Sequence, residues 1–208
     1  DANGFTVGDR VEIGWGITPG FVADHGMTGV WGPFNDSWVT FWRRTIVEID
    51  LASTPHHIIL DAPHRYVGLV RDGASIVKVT GSISEVGIED LAVTNAQDTS
   101  GTEANDRNHV IDLIHVRDSW VARVETFHHR GEDEGHVQSG GLRVLQSSRV
   151  TVLDSRFENA QNRLSGGNGY LLEVSQVTDV LIDGVRAVNG RHNFIQNWGF
   201  GATGIVWK

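Results

Sequence analysis

Histidine, arginine and asparagine side chains recur just after three successive corners of a repeating pattern. The residues are His129, Arg130, Asn162, Arg191 and His192. Imidazole titrates near neutral pH, and guanidinium can clamp a carboxylate through two hydrogen bonds. We therefore predict that His192 is a general base or acid and that His129 assists it. Arg191 and Arg130 would orient an anionic or hydroxyl-rich substrate, which Asn162 would also contact. The alternative is that all five are solvated corner residues.

Charged residues also alternate in sign at one position of four successive short strands. They are Lys78, Asp112, Arg143 and Glu173. One interpretation is a ladder of salt bridges between neighbouring coils, each contributing about 0.2 to 1 kcal/mol. The other is a groove in which Lys78 and Arg143 bind substrate while Asp112 and Glu173 act as acid and base. Two strand spacings would separate these carboxylates by roughly 9 to 10 Å, enough for a water molecule between them.

An acidic run, Glu132, Asp133 and Glu134, lies in a polar loop that contains glycine. Oxygen ligands on a flexible loop are the type that Ca²⁺ prefers. Calcium is therefore the one cofactor that the sequence suggests. The alternative is an acidic run that is only solvated.

The segment from Gly14 to Trp42 is unusually aromatic, with four tryptophans and three phenylalanines. The simpler interpretation is a loop that packs against the core. The functional one is a platform for sugar rings, because aromatic faces pair with the apolar faces of pyranoses. In that case Trp31 and Trp38 are the predicted substrate contacts.

Four segments of the chain share one template, which indicates internal repeats. Their anchors Ile88, Val121, Val152 and Ile182 are spaced 33, 31 and 30 residues apart. In each repeat the apolar positions alternate in steps of two, skip, and alternate again, which predicts two short strands that meet at a bend. No helical periodicity competes with this pattern.

A third strand precedes each anchor by about nine residues. Its members are Val77–Val79, Ile111–Leu113, Leu142–Val144 and Leu172–Val174. Three short strands per coil with no helix predict an all-β parallel β-helix in which each strand pairs with its counterpart one coil later. The predicted core residues are Val77, Val79, Ile88, Val93, Leu113, Val121, Val144, Val152, Phe157, Val174, Ile182 and Val185.

The N-terminal third is less regular. The segments Trp42–Asp50 and His57–Pro63 predict a long hairpin. We therefore expect a single domain, or a fragment of one, with an irregular hairpin and aromatic-loop region at 1–74 and regular coils at 75–208.

Composition excludes several classes of protein. The chain has 208 residues, a formal charge of −9 and no cysteine. An acidic balance without a basic block argues against a nucleic-acid partner. No apolar run approaches the roughly 18 to 20 residues that span a bilayer, so no membrane partner is expected. Without cysteine there is neither a disulfide nor a thiolate metal site.

The repeats from Val79 to Gly190 resemble the pectate-lyase-like, single-stranded right-handed parallel β-helix superfamily. The resemblance implies three strands per coil, and Ca²⁺ is a cofactor of many lyases with this fold. Members include polysaccharide lyases, glycoside hydrolases, tailspikes and adhesins, so the fold leaves the activity open. The short catalytic motifs of polygalacturonases and of pectate lyases are absent, and no catalytic residue is carried over.

Two hypotheses of function follow. The first is an extracellular carbohydrate-active enzyme, a polysaccharide lyase or glycoside hydrolase, with a polysaccharide or oligosaccharide in a groove of the β-helix. The second is a non-catalytic β-helix module of a larger surface, tailspike or adhesin protein.

The strand-like run before Lys208 leads to one more expectation. The last coil of a solenoid exposes its apolar cross-section unless it is covered. We expect further coils or a second chain to cover this end.

Overall fold

The computed structural model describes residues 4–32, 38–97, 107–129, 134–197 and 200–208. The fold is mostly β, with 52% of residues in strands and 5% in helices, and its parallel sheets form a β-solenoid of about three turns. The chain divides into two compact units. The first comprises residues 1–82 and 199–203, and the second comprises residues 83–198 and 204–208. Within the described residues no helix is long and apolar enough to cross a membrane.

The first unit is built on an antiparallel sheet with strand order β3-β2-β1-β4. Its strands are β1 (Arg10–Gly16), β2 (Trp38–Asp50), β3 (His57–Leu60) and β4 (Ser75–Lys78), and one helix, α1 (Pro19–Asp24), follows β1. Thr18 caps this helix by accepting a hydrogen bond from the backbone N–H of Phe21. The predicted hairpin is confirmed, because β2 and β3 pair in antiparallel register.

The solenoid begins at β5. Its strands are β5 (Ile83–Ser84), β6 (Gly87–Val93), β7 (His109–Ile114), β8 (Val116–Thr126), β9 (Gly140–Leu145), β10 (Ser148–Leu153), β11 (Arg156–Glu158), β12 (Tyr170–Ser175), β13 (Thr178–Asp183), β14 (Arg186–Val188), β15 (His192–Gln196) and β16 (Thr203–Trp207). One sheet has the order β14-β11-β8-β10-β13-β16, with β5 and β6 also paired to β8, and the other has the order β15-β12-β9-β7.

The repeat register predicted from the sequence is confirmed. Ile88 pairs with Val121, Val121 with Val152, and Val152 with Ile182, all between parallel strands. The same apolar position therefore recurs in each coil, because each strand copies the in–out alternation of the strand before it.

Corners of successive coils share one unusual backbone conformation. Glu85, Asp118, Arg149 and Asp179 lie at the same register position, and all have φ between 48° and 58°. A second stack consists of Asp90, Arg123 and Asp154, at 44° to 53°, followed by Gly184 at 66°. A left-handed residue turns the chain sharply and is costly for side chains other than glycine. Because this conformation recurs at the same register position, each coil turns its corner with the same backbone geometry.

The core lies inside the coils. Seven predicted core residues are buried: Leu113, Val121, Val144, Val152, Phe157, Val174 and Ile182. Ile88, Val93 and Val185 are half-buried. Val79 is half-buried too, but it lies in the first unit, where its N–H donates to the carbonyl of Arg10, so its predicted place in the core of the coils is wrong.

Another part of the core prediction is wrong. Val77 is 49% exposed, because its strand β4 pairs antiparallel with β1 in the first unit. An apolar–charged–apolar triplet has the same alternation in parallel and antiparallel sheets, so the pattern alone did not distinguish them.

Apolar side chains are exposed where the last strands of the solenoid lie. Phe194 of β15 is 42% exposed and Trp207 of β16 is 41% exposed, with their rings edge to face at 5.3 Å. They line a cavity of about 310 Å³ together with Ile182 and Val185. Cover by further coils or by a second chain stays a prediction.

Two phenylalanines test the location of the core. Phe157 is fully buried, so Phe157→Ala should lower the free energy of unfolding by about 3 to 5 kcal/mol. The same substitution at the exposed Phe194 should cost less than about 1 kcal/mol. Urea denaturation followed by circular dichroism measures both, and equal losses would contradict the assigned core.

Candidate functional site

A buried carboxylate lies on the outer face of the four-stranded β7-β9-β12-β15 sheet. Glu173 of β12 is only 1% exposed. Asn197 donates a 2.8 Å hydrogen bond from Nδ2 to its Oε1, and Nη2 of Arg107 lies 3.5 Å from the same oxygen. Nε2 of His109 lies 3.1 Å from Oε2, within ion-pair distance but without the alignment of a hydrogen bond. The acid is therefore surrounded by an imidazole, a guanidinium and an amide.

Glycines allow these side chains to reach Glu173. His109 pairs with Gly140 on the next strand, and a Cβ at position 140 would lie 2.7 Å from Nε2 of the imidazole. The ring therefore passes over the bare backbone of β9 to reach β12. Arg107 lies against Gly167 in the same way, because a Cβ there would come within 2.6 Å of its Nη1.

The loop before β12 is fixed by a buried polar network. Ser139 donates from Oγ to Oδ1 of Asn168 at 2.9 Å, and the backbone N–H of Gly169 donates to the same hydroxyl at 3.3 Å. All six residues of β12 are buried. These bonds hold the loop residue Gly167 against Arg107.

Electrostatics keep the buried acid ionised. Burial raises the pKa of Glu173, but the contacts with His109 and Asn197 and the charge of Arg107 outweigh it, so the pKa lies below its ordinary value. A buried carboxylate without such partners would instead become neutral. Glu173 is thus a desolvated anion at neutral pH, stabilised by its immediate neighbours.

Ion pairs elsewhere on the solenoid differ from this cluster in burial. Arg123 donates from Nε to Asp90 of the preceding coil at 2.6 Å, with side chains 50% and 64% exposed. Arg186, whose side chain is 63% exposed, makes a 2.8 Å bond to Glu158, whose side chain is 13% exposed. Exposed pairs of this kind contribute little to stability. The group around Glu173 carries the large desolvation cost and is therefore the candidate functional site.

No protein-family model, curated protein or solved structure matches this chain.

The four charges predicted as a ladder fall into different surroundings. Arg143 donates from Nε to Oδ1 of Asp112 at 2.8 Å, so these two form the predicted cross-coil salt bridge. The hydrogen bond with Asp112 raises the pKa of Arg143 further. Glu173 is buried rather than on an open groove floor, because Arg107, His109 and Asn197 cover it. Lys78 belongs to the first unit and pairs with Asp9 at 2.7 Å, so it takes no part in this row.

The predicted histidine–arginine row is exposed in part. His192 is exposed and packs edge to face against Tyr170 at 5.0 Å, while Arg191 donates from Nη1 to the carbonyl of Leu164 at 3.0 Å. His129 is exposed beside Phe127. Arg130 lies outside the described residues.

Asn162 is not a surface contact. It is fully buried, and its Oδ1 accepts a 3.0 Å hydrogen bond from the backbone N–H of Leu164. The amide stabilises the turn that starts the loop, and its contact with substrate stays a prediction.

Both predicted tryptophan contacts lie in the first unit. Trp31 is half-buried among Phe21, His25 and Phe200. Trp38 is 37% exposed at the start of β2.

The predicted calcium ligands are described only in part. Glu134 is exposed, whereas Glu132 and Asp133 lie outside the described residues. The described residues contain no group of three His, Cys, Asp or Glu side chains placed to hold a metal ion. Calcium binding by the acidic run stays a prediction.

Sequence reasoning missed the partners of Glu173. The repeat pattern predicts none of Arg107, His109 and Asn197 as a partner of Glu173. The available signal was Gly140, which stands one repeat after His109. A glycine opposite a histidine on the neighbouring strand leaves room for the imidazole ring to lie across that strand.

The dependence of the free energy of unfolding on pH, in the acidic range, should show the contribution of Glu173. Its folded pKa is depressed, so its stabilising effect is present above the ordinary value of 4.5 and is lost as pH falls through the folded pKa. Glu173→Gln should lower the free energy of unfolding by about 3 kcal/mol at neutral pH, and the difference from wild type should shrink below pH 4.5. Glu125→Gln, at an exposed position of β8, is the control. A difference that does not vary with pH would contradict the assignment.

A double-mutant cycle tests the path of His109 over the glycine. Gly140→Ala should cost about 1 to 3 kcal/mol, because the new Cβ overlaps the imidazole. In a His109→Ala background the same change should cost much less, which gives a coupling energy. Additive losses would show that the ring does not occupy this position.

Proposed function

We propose that this chain binds a polysaccharide along the outer face of the β7-β9-β12-β15 sheet and acts on it as an extracellular polysaccharide lyase or glycoside hydrolase. The observation that carries the proposal is the buried, ionised Glu173 beside His109. Burial of a charge is costly, and charged groups held in this way are often found at functional sites. Polymers suit a solenoid, because consecutive units can meet consecutive coils.

The chemistry of the cluster favours proton transfer next to a carboxylate. In elimination from a uronate, a base removes the C5 proton, its electron pair forms the C4–C5 double bond, and the C4–oxygen bond breaks. The leaving oxygen takes a proton from an acid. His109 and Glu173 are the acid–base pair of this proposal, and Arg107 neutralises the substrate carboxylate. The side chain of Arg107 is 22% exposed, so this cation is partly open to solvent.

Access to Glu173 requires a change at the surface. Its carboxylate and the ring of His109 are almost fully shielded, whereas Arg107 is the more exposed partner. A substrate carboxylate that draws Arg107 away from Glu173 would open the acid and leave it unneutralised. Substrate binding and activation of the base are then the same event.

The alternative for the cluster is hydrolysis by Asp112 and Glu173. Their strands lie two positions apart in the sheet. Arg143 occupies the intervening strand and binds Asp112. This carboxylate is therefore already neutralised, which makes hydrolysis the less favoured reaction of the two.

Membership of the pectate-lyase-like superfamily and an extracellular location belong to the same proposal. The β-solenoid of about three turns is consistent with a parallel β-helix fold, and membership of that superfamily is the finer proposal.

A second candidate is a non-catalytic β-helix module of a surface, tailspike or adhesin protein. It is favoured by the salt bridges that join neighbouring coils, among them Arg123 with Asp90 and Arg149 with Asp118. Such pairs neutralise the outer faces and suit a shaft. In this view the cluster around Glu173 only fastens the loop before β12.

A depolymerisation screen separates the two candidates. Polygalacturonate, alginate and hyaluronan are the anionic probes, and xylan, galactomannan and laminarin the neutral ones. Ultraviolet absorbance detects unsaturated products of elimination, and reducing ends detect hydrolysis. We expect activity on an anionic polymer, with Glu173→Gln lowering turnover by roughly 10² to 10⁴-fold. Glu158→Gln is the matched control, because Glu158 is also bound to arginines, Arg156 and Arg186, on another face.

The outcomes are distinct. Loss of turnover in Glu173→Gln with unchanged circular dichroism supports the enzyme, and loss in both variants would point to stability instead. Absence of turnover on every polymer, with the wild type folded, would favour the non-catalytic module.

A further inference from the structure

The first unit carries a cluster of aromatic rings that reaches solvent. Its members, called here the ring patch, are His25, Trp31, His64 and Tyr66. His25 and His64 are exposed, Tyr66 is 46% exposed and Trp31 is half-buried. The ring of His25 lies 6.0 Å from that of Tyr66 and 5.8 Å from that of Trp31. Contiguous exposed rings of this kind mark binding sites more often than isolated ones do.

Buried aromatic residues hold the patch in place. Trp42 is 1% exposed, and its ring lies flat under His64, at 4.5 Å and 3° between planes, and 5.9 Å from Tyr66. Phe21 supports His25 at 4.3 Å from inside the unit. The exposed rings are therefore supported from below, and a ligand would meet a surface that is already organised.

The imidazole of His64, stacked on Trp42, is uncharged at neutral pH. Burial and the nearby charge of Arg44 lower the pKa of His64, which keeps the ring neutral and able to stack on Trp42. Nδ1 of His25 is hydrogen-bonded to the carbonyl of Phe21 at 2.8 Å, which fixes the orientation of that ring.

Polar groups border the same rings. Asp24, the residue before His25, forms an ion pair with Arg71, and their side chains are 48% and 50% exposed. Arg71 also lies 3.6 Å from Asp72. A carboxylate beside a guanidinium offers both acceptors and donors to neighbouring hydroxyl groups.

We propose that the ring patch is a carbohydrate-binding subsite that holds a pyranose ring against Tyr66 and His25, with Asp24 and Arg71 bound to its hydroxyl groups. The apolar C–H face of a pyranose matches an aromatic face, and its rim of hydroxyls matches the charged pair. A purely aliphatic partner would leave the hydrogen-bonding edges of tyrosine and histidine unused. This inference rests on the proposed function and adds a subsite, in the first unit, for the same class of polymer.

Affinity electrophoresis tests the subsite. Migration of the whole chain is measured in native gels that contain the polymers of the depolymerisation screen. Tyr66→Ala should weaken retention by a retained polymer about tenfold, and Tyr66→Trp should restore it, because the indole keeps an aromatic face. Val67→Ala is the matched control, since Val67 is adjacent in sequence, 78% exposed and aliphatic.

The outcomes separate this inference from the function it rests on. Weaker retention for Tyr66→Ala, with retention of Val67→Ala equal to that of wild type, supports the subsite. Equal retention of Tyr66→Ala and wild type would overturn it, even if Glu173→Gln still abolishes turnover. Equal weakening by Val67→Ala would also overturn it, in favour of a generic apolar surface. Absence of retention by every polymer overturns the subsite and the polysaccharide proposal together.

Discussion

Parallel strands of successive coils pair in one constant register, which holds Val121 between Ile88 and Val152. The other features of the solenoid depend on this register. It places apolar side chains above one another inside the coil and charged ones above one another outside. The same register therefore builds the core and the cross-coil ion pairs. It also brings His109, from β7, to Glu173, on a strand two positions away in the sheet.

The coil pattern could be predicted because period-2 alternation and a repeat near 31 residues leave few alternatives to stacked parallel strands. Where the repeat is weak the prediction fails, as at Val77. A four-residue strand such as β4 has too few positions to indicate its partner or direction, and only tertiary pairing with β1 decides it. The antiparallel unit has no internal copy to compare it with, so beyond its hairpin the sequence was not informative.

Prediction of the site was limited for a different reason. The alternation of apolar and charged residues indicates which side of a strand a residue faces, and it correctly put Glu173 outside the coil core. It does not indicate which residues cover that face. The cover comes from Arg107, before β7, and from Asn197, after β15, both beyond the repeated positions. A long side chain can cross a neighbouring strand only where that strand has a glycine, which has no Cβ. The repeat register shows which side chains lie next to one another, but it does not show where a glycine leaves such a space.

The stacked corner residues with positive φ limit where residues can be inserted into or deleted from such a chain. Asp118, Arg149 and Asp179 keep one backbone conformation at one register, although the chain between them varies by a residue. Variation is thus absorbed between the corners, in the connecting loops. Duplication or deletion of one whole coil would preserve every pairing, whereas an extra residue inside a strand would turn its inner face outward. The molecule can grow in units of one turn, and its loops can diversify without disturbing the shaft.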